Sequence, residues 1–247
     1  MSACELRNRD TGAVGEAKLK TLAVIALKGG SGKTTVATHL ALAAHLRGLD
    51  AMVVDSDPQH SARDVLGSRE QPGPPCVTTT AAKLMSAQFA AAGLKKDLLI
   101  IDTPAGAVEN VSEALVLADL AVMVVRPTLM DIAGLARTFM IVRRLGKPAT
   151  VVMNQAPVAR ETVEAPLVKR AMKALDYMQA PMAPVILRAR SVYQTALERG
   201  RSVEETPDRA AAGEVAALWG FIADTLELRR GAAEAETEAD RPAPTAP

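Results

Sequence analysis

The chain contains the stretch Lys28-Gly29-Gly30-Ser31-Gly32-Lys33-Thr34-Thr35, which decides the fold. An apolar run at residues 22–27 precedes it and predicts a strand, and residues 36–47 follow it with the pattern of a helix. Successive glycines let backbone N–H groups point inward, and the following helix adds its unpaired N–H groups and the positive end of its dipole. The sequence therefore predicts a loop that cradles phosphate.

This loop departs from the usual pattern G-x-x-x-x-G-K-[ST], because Leu27 stands where the first glycine belongs and Lys28 follows it. In this interpretation Lys33 contacts the β- and γ-phosphates, the Thr34 hydroxyl is a ligand of Mg²⁺ and Thr35 bonds an α-phosphate. The alternative is a glycine-rich turn capped by threonine. The flanking strand and helix patterns favour the phosphate loop.

The rest of the chain alternates short apolar runs with helical patterns. Continuous apolar strands that alternate with helices predict an α/β fold, a mostly parallel twisted sheet with helices on both faces. The predicted strands are 22–27, 51–55, 97–102, 121–125, 149–153 and 184–187. The predicted helices are 36–47, 111–117, 132–145, 162–175 and 210–228.

The composition fits one large domain with tails, since the chain has 247 residues, 49% of them apolar. We expect a flexible N-terminal tail at 1–18, one folded domain with the phosphate loop at 19–230 and a disordered Ala/Glu/Pro-rich tail at 231–247. No apolar run approaches the roughly 20 residues that span a bilayer. Residues 1–20 lack the apolar core of a secretion signal, and Cys4 and Cys76 have no metal or redox spacing. These features favour a cytoplasmic protein.

Two acidic sites follow predicted strands: Asp55-Ser56-Asp57-Pro58-Gln59 and Asp102-Thr103-Pro104-Ala105-Gly106. In parallel sheets ligands bind beyond the carboxyl ends of the strands, so we expect these aspartates beside the loop. Nucleotide-bound Mg²⁺ needs nearby carboxylates, often acting through water. Any one of these aspartates could instead be a helix or turn cap. Their number beside a phosphate loop favours the magnesium role.

Four segments in this order resemble the ParA/MinD group of deviant Walker-type ATPases: KGGSGKTT at 28–35, VVDSDPQ at 53–59, LLIIDTPAG at 98–106 and VVMNQAP at 151–157. The resemblance covers roughly residues 20–229. The segments 188–193 and 200–204 look like the small ParA-type partition ATPases that lack an N-terminal helix-turn-helix domain. The implied fold is that of a P-loop NTPase with a deviant Walker A loop.

The resemblance implies a homodimer that sandwiches two ATP molecules, in which Lys28 reaches the partner's phosphates. It also implies slow, partner-stimulated hydrolysis of ATP to ADP and phosphate, with Lys28, Lys33 and Asp57 as catalytic residues. Asp55 and Asp102 would complete the Mg²⁺ shell with Thr34. The implied nucleotide-binding residues are Lys28, Gly29, Gly30, Ser31, Gly32, Lys33, Thr34, Thr35, Gly106 (a switch position) and Asn154 (facing adenine).

For this group the resemblance further implies non-specific DNA binding, a ParB-like or cargo adaptor and a nucleoid-associated, cytoplasmic location. The cargo could be a plasmid, a chromosome region or a protein assembly such as a carboxysome. DNA binding needs clustered cations, although each such residue could equally lie on a solvated helix face. The candidates are Lys169, Arg170, Lys173, Arg188, Arg190, Arg199 and Arg201.

Three other functions stay open. A MinD-like membrane role would need an amphipathic terminal helix, whereas residues 232–247 are rich in Ala, Glu and Pro, so we do not expect it. A P-loop ligase or kinase, like dethiobiotin synthetase or the cobyrinate amidases, would need an acceptor pocket, and the sequence shows none. An iron–sulfur carrier with the same loop would need cysteines at its dimer interface.

Overall fold

A computed structural model of the chain describes residues 18–106, 108–159, 161 and 163–228. The predicted tails at 1–18 and 231–247 therefore lie outside the described residues, except for Lys18, and the domain boundaries stay a prediction. The strands, β1 to β7, are Lys20–Ile25, Ala51–Asp55, Cys76–Thr78, Leu98–Asp102, Leu120–Val125, Ala149–Ala156 and Met182–Arg188. The helices, α1 to α8, are Lys33–Leu46, Ser61–Gly67, Leu84–Gly93, Val108–Leu117, Leu129–Leu145, Pro166–Tyr177, Val192–Leu197 and Arg209–Leu226.

The strands form one seven-stranded sheet in the order β3-β2-β4-β1-β5-β6-β7. Every neighbouring pair is parallel. The central strand β1 pairs with β4 on one side and with β5 on the other, so the segment that follows β1 emerges in the middle of the carboxyl edge. The predicted parallel α/β fold is confirmed.

Helices cover both faces of the sheet because successive side chains of a strand point to opposite faces. Leu22 and Val24 of β1 pack on the face covered by α1, α2, α7 and α8. Ala23 and Ile25 pack on the other face, covered by α3, α4, α5 and α6. Burial on both faces explains the uninterrupted apolar strands of the sequence. Within the described part of the chain, no helix combines the length and apolarity needed to cross a bilayer.

Four elements were not predicted. Strand β3 has only three residues, and α2 and α7 are too short for a helical period to show. Helix α3, Leu84–Gly93, is apolar around much of its circumference and buries only Leu84 and Ala91, so it lacks a one-sided stripe. Helix α6 begins at Pro166 rather than at 162, since proline is suited to the first helical position.

A close contact holds the turn after α2 against the turn after α7. The Arg69 guanidinium, almost fully buried, binds the Glu205 carboxylate at 2.9 Å and donates to the carbonyls of Gly200 and Pro72, each also at 2.9 Å. Gly200 has φ +60°, and a Cβ there would lie 2.6 Å from the backbone N and Cα of Arg69. Glycine is therefore required both by the left-handed backbone and by the approach of the other chain segment.

Replacing this glycine tests the contact. Gly146, the C-cap of α5, is a matched control, because its φ is +62° and a Cβ there would meet open space. Gly146→Ala should lower the free energy of unfolding by about 1–2 kcal/mol through left-handed strain alone. Gly200→Ala should lower it by about 2 kcal/mol more, because the backbone of Arg69 must move. Urea unfolding followed by circular dichroism measures both. Equal losses would contradict the close contact.

Candidate functional site

The phosphate loop lies between β1 and α1 at the carboxyl edge of the sheet, where the predicted carboxylates also lie. In the parallel register Asp102, the last residue of β4, is level with Val24 of β1 and with Asp55, the last residue of β2. The chain then runs from Ala26 to Gly32 and enters α1 at Lys33. The structure thus brings together the loop and both aspartate segments that the sequence places after separate strands.

The loop needs glycine for two reasons: its backbone angles and the close approach of neighbouring side chains. Gly30 and Gly32 have φ of +74° and +90°, which side-chain-bearing residues rarely adopt. A Cβ at Gly32 would lie 2.2 Å from the Asn154 side-chain nitrogen. A Cβ at Gly29 would lie 3.8 Å from the Ala105 side chain, so the segment leading to Gly106 passes beside the loop. Gly106 itself has φ +96° and is exposed.

Lys33 is buried at the start of α1, with 7% of its surface exposed. Burial lowers the pKa of its ammonium group, and the charges of Asp102 and Asp57 oppose that shift. Lys33 is therefore a buried amine at the start of α1, and the charges of Asp102 and Asp57 favour its protonated form.

Thr34 and Asp102 join α1 to β4. The Thr34 hydroxyl donates to Asp102 Oδ2 at 2.7 Å. Asp102 is fully buried, and burial raises the pKa of its carboxyl to about 7, although the hydrogen bond from Thr34 and the charge of Lys33 lower it. Its Oδ1 is buried without a hydrogen-bond partner among the described residues, and so is the Ser31 hydroxyl. Buried polar atoms without partners are rare in proteins, so these two atoms have room to bind a water, an ion or a ligand.

Asp55 and Asp57 shape the turn after β2. The fully buried Asp55 accepts hydrogen bonds from the backbone nitrogens of Asp57 at 3.0 Å and of Arg63 at 3.1 Å. Asp57 is only half-buried, and one of its oxygens accepts from the Gln59 backbone nitrogen at 2.9 Å. Asp55 therefore fixes the turn that carries Asp57, and among the described residues only one oxygen of the Asp57 carboxylate accepts a hydrogen bond.

Asn154 and Gln155, at the end of β6, hold the phosphate loop through hydrogen bonds to its carbonyl groups. The Asn154 side-chain nitrogen donates to the Ser31 carbonyl at 2.9 Å, and that of Gln155 donates to the Gly30 carbonyl at 3.2 Å. Asn154 is buried, with an exposed fraction of 5%. These contacts support a role for Asn154 in holding the loop, while adenine recognition by Asn154 stays a prediction. Gln155 was missed by the sequence analysis, although it is the next residue of the same motif.

Lys28 lies at the exposed rim of the loop, beside a cluster that the sequence analysis missed. Its Nζ lies 2.7 Å from Asp131 Oδ1, and Arg126 Nε lies 2.6 Å from Asp131 Oδ2. Arg126 directly follows β5, and Asp131 lies in the first turn of α5. The rule that found Asp55 and Asp102, a polar residue at the carboxyl end of a strand, could have found Arg126 as well.

The predicted DNA-contacting residues occupy different environments. Arg188 pairs with Glu164 and Arg190 with Glu214, so carboxylates of the same chain balance both charges. Arg199 and Arg201 border a cleft of about 370 Å³ that Glu70 and Glu198 also line. Lys169, Arg170 and Lys173 are exposed together on α6, and none of them is in an ion pair with another described residue.

The chain is similar in sequence to known nucleotide-binding proteins. The family described as the CobQ/CobB/MinD/ParA nucleotide binding domain matches residues 22–203. The chain is 26% identical, over 204 residues, to maintenance of carboxysome distribution protein A of Halothiobacillus neapolitanus, across 80% of this chain and 94% of that protein.

Solved structures show the same fold. An ATP complex of a variant of McdA from Cyanothece superposes with a TM-score of 0.71 at 17% identity, covering 87% of this chain and 99% of that one. MinD of Pyrococcus horikoshii with Mg-ADP superposes with a TM-score of 0.66 at 19% identity, covering 83% and 96%. Both the matched span and the loop geometry lead to one conclusion: this chain belongs to the CobQ/CobB/MinD/ParA nucleotide-binding domain family.

Proposed function

We propose that this protein is a ParA-like ATPase that dimerises around ATP, binds DNA without sequence preference and positions a cargo through an adaptor protein. The observation that carries the proposal is the contrast between the two lysines of the loop. Lys33 is buried at the start of α1, whereas the Lys28 side chain is 41% exposed at the rim of the loop and bound to Asp131. A lysine at the rim can reach a phosphate outside its own subunit.

The residues present fit ATP with Mg²⁺. The loop supplies backbone N–H groups and Lys33 for the phosphates, and the Thr34 hydroxyl and the Asp102 carboxylate, hydrogen-bonded at 2.7 Å, are oxygen groups of the kind that would hold Mg²⁺. The unpartnered Asp102 Oδ1 is a further oxygen at the same place. When bound, Mg²⁺ would neutralise phosphate charge. Asp55, which fixes the turn through two backbone bonds, would act from behind this shell.

Asp57 is the residue we assign to the attacking water. It lies at the carboxyl edge, half-buried, and its charge acts on Lys33. A carboxylate that accepts a proton or a hydrogen bond from water orients that water for attack on the γ-phosphate. Lys28 from the partner would supply the positive charge that stabilises the transition state, as an arginine finger does in other ATPases and GTPases. Hydrolysis would then be slow in the single subunit and would depend on dimerisation.

DNA binding would use the exposed α6 residues Lys169, Arg170 and Lys173. Arg188 and Arg190 are less suited, because breaking their ion pairs would leave Glu164 and Glu214 without cations. Because the contacts are made with phosphates, binding would be independent of sequence and would weaken with salt. Dimerisation would double the basic surface, so ATP would control the affinity.

The cargo we propose is a protein assembly or a DNA element, recognised through a ParB-like or other adaptor that stimulates hydrolysis. The likeness to a protein named for carboxysome distribution supports a protein assembly. Such a protein would act in the cytoplasm on the nucleoid. The competing function, a ligase or kinase acting on a metabolite, is compatible with the CobQ/CobB part of the family description. ATP hydrolysis stimulated by one metabolite, and not by DNA with an adaptor, would favour that alternative.

Substitution of the two lysines separates their functions. Lys33→Ala should abolish measurable ATP binding, because it removes the buried phosphate ligand. Lys28→Ala should keep ATP affinity within about threefold of the wild type while losing ATP-dependent dimerisation, because its partner phosphate lies in the other subunit. Fluorescent-nucleotide titration measures the first property, and light scattering after gel filtration measures the second. Normal dimerisation of Lys28→Ala would refute the cross-subunit function.

Asp57→Ala should trap an ATP-bound dimer. Hydrolysis should fall by about 100-fold or more, since a water-orienting carboxylate contributes on that order, while dimerisation on ATP persists. Asp64→Ala is the control, because Asp64 lies on the neighbouring helix α2, is largely exposed and, among the described residues, forms an ion pair with Arg63 alone. The control should hydrolyse ATP at the wild-type rate. Rapid ATP hydrolysis by the Asp57→Ala variant would show that another residue orients the attacking water.

A triple change on α6 tests the DNA surface. Replacing Lys169, Arg170 and Lys173 by Gln should weaken binding to DNA of any sequence and lower the salt slope by about one for every phosphate that is no longer neutralised. The charge-matched control replaces the exposed Lys83, Lys95 and Arg209 by Gln. Fluorescence anisotropy with ATP present, at several salt concentrations, measures both. Equal weakening in the two variants would show that only net charge matters.

A further inference from the structure

The cluster of Lys28, Asp131 and Arg126 places two cations on one buried carboxylate. The Asp131 side chain is 2% exposed, whereas those of Lys28 and Arg126 are 41% and 30% exposed. The contacts are Lys28 Nζ to Oδ1 at 2.7 Å, Arg126 Nε to Oδ2 at 2.6 Å and Arg126 Nη2 to Oδ1 at 3.2 Å. Both oxygens of the carboxylate are therefore engaged, and Lys28 and Arg126 share Oδ1.

Asp131 is fixed by the helix on which it lies. Thr128 caps α5 by accepting a hydrogen bond from the Asp131 backbone nitrogen at 3.2 Å, so the carboxylate stands in the first turn of that helix. Although burial raises it, the hydrogen bonds from Arg126 and Lys28 hold the pKa of the Asp131 carboxyl at about 2. Asp131 is thus a permanent negative charge at every physiological pH, and it needs at least one cation.

Arg126 stands between this carboxylate and the phosphate loop. Its Nη1 lies 3.7 Å from where a Cβ of Gly30 would be, while its Nε and Nη2 bind Asp131. If Lys28 leaves, Asp131 still has Arg126, which contacts both of its oxygens. A buried carboxylate that loses its only partner is strongly destabilised, so the second cation decides how easily the first can leave.

We propose that Asp131 and Arg126 are positioning residues for Lys28: Asp131 holds the lysine within its own subunit, and Arg126 keeps Asp131 paired when Lys28 moves to the partner's nucleotide. The inference rests on the proposed function, since it assumes that Lys28 crosses to the partner. Dimerisation then exchanges one charge-assisted contact for another, Lys28–Asp131 for Lys28–phosphate. The difference in free energy between these two contacts sets the affinity between the subunits.

Two substitutions change that difference in opposite directions. Asp131→Asn removes the competing carboxylate, and the freed Lys28 and Arg126 are exposed enough for water to solvate them. Its ATP-dependent dimer should form at a subunit concentration about three- to tenfold lower than the wild-type dimer. Arg126→Gln leaves Lys28 as the only cation among the described residues that pairs with Asp131, so its dimer should need a concentration about tenfold higher or more. The double variant Arg126→Gln/Asp131→Asn should regain the tighter dimerisation.

The experiment measures the dimer dissociation constant of the full chain by analytical ultracentrifugation with ATP and Mg²⁺, on the Asp57→Ala background so that ATP persists. Asp50→Asn is the control for loss of one negative charge, because Asp50 precedes β2 at the opposite end of the sheet and pairs with Lys96. Thermal unfolding verifies that each variant folds. Loss of packing alone would weaken the dimer, so a gain in affinity for Asp131→Asn, absent from Asp50→Asn, supports the exchange.

Other outcomes overturn the inference. A folded Asp131→Asn variant that dimerises as the parent does, or more weakly, would show that Asp131 does not compete for Lys28. If Asp131→Asn fails to fold, Arg126→Gln decides, and an unchanged dissociation constant would refute the proposal. A parent that stays monomeric with ATP would instead refute the proposed function itself, and the inference with it.

Discussion

The hydrogen bond from the Thr34 hydroxyl to Asp102 Oδ2, 2.7 Å long, joins the two halves of the site. It can form only because β1 and β4 are parallel neighbours, so that the helix after β1 begins beside the last residue of β4. Asp102 is fully buried there, and burial raises the pKa of its carboxyl to about 7. Folding therefore places a costly carboxylate where a cation would stabilise it.

In our account the two lysines of the loop have different functions because their surroundings differ. Lys33 is buried at the start of α1, where the charges of Asp102 and Asp57 act on it. Lys28, five residues earlier, is attached to Asp131 at the rim, where it can exchange one anion for another. Both are ammonium groups on flexible stems, and their surroundings make one a fixed phosphate ligand and the other a mobile charge. In our account the second lysine makes ATP binding and subunit association depend on each other.

The sequence predicted the parallel α/β architecture because its long strands are buried on both faces and read as continuous apolar runs. It failed for β3, which has three residues, and for α3, whose apolar residues surround the helix. The loop, Asp55, Asp57 and Asp102 were placed correctly at one edge, since the carboxyl ends of parallel strands must meet there.

The remaining features depend on side chains that meet across long stretches of chain. The ion pairs of Arg188 and Arg190, the hydrogen bond from Asn154 to Ser31 and the pairing of Lys28 with Asp131 join residues 24 to 123 positions apart, and a charge pattern does not reveal which partner each residue finds. Arg126 and Asp131 were overlooked for a simpler reason: neither lies in a glycine-rich or acidic motif.

Mixing two inactive variants tests the central claim, that Lys28 acts in the other subunit. Lys28→Ala and Asp57→Ala proteins are combined before ATP is added, and ATP hydrolysis is followed against each protein alone. In a mixed dimer the Lys28→Ala subunit keeps its own Asp57 and receives Lys28 from its partner, so one complete site forms. The account predicts that the mixture regains hydrolysis, up to about half the wild-type rate for each mixed dimer. If mixed dimers form, as co-purification of differently tagged subunits would show, and still hydrolyse no more ATP than the separate components, Lys28 does not act in the other subunit and the account is wrong.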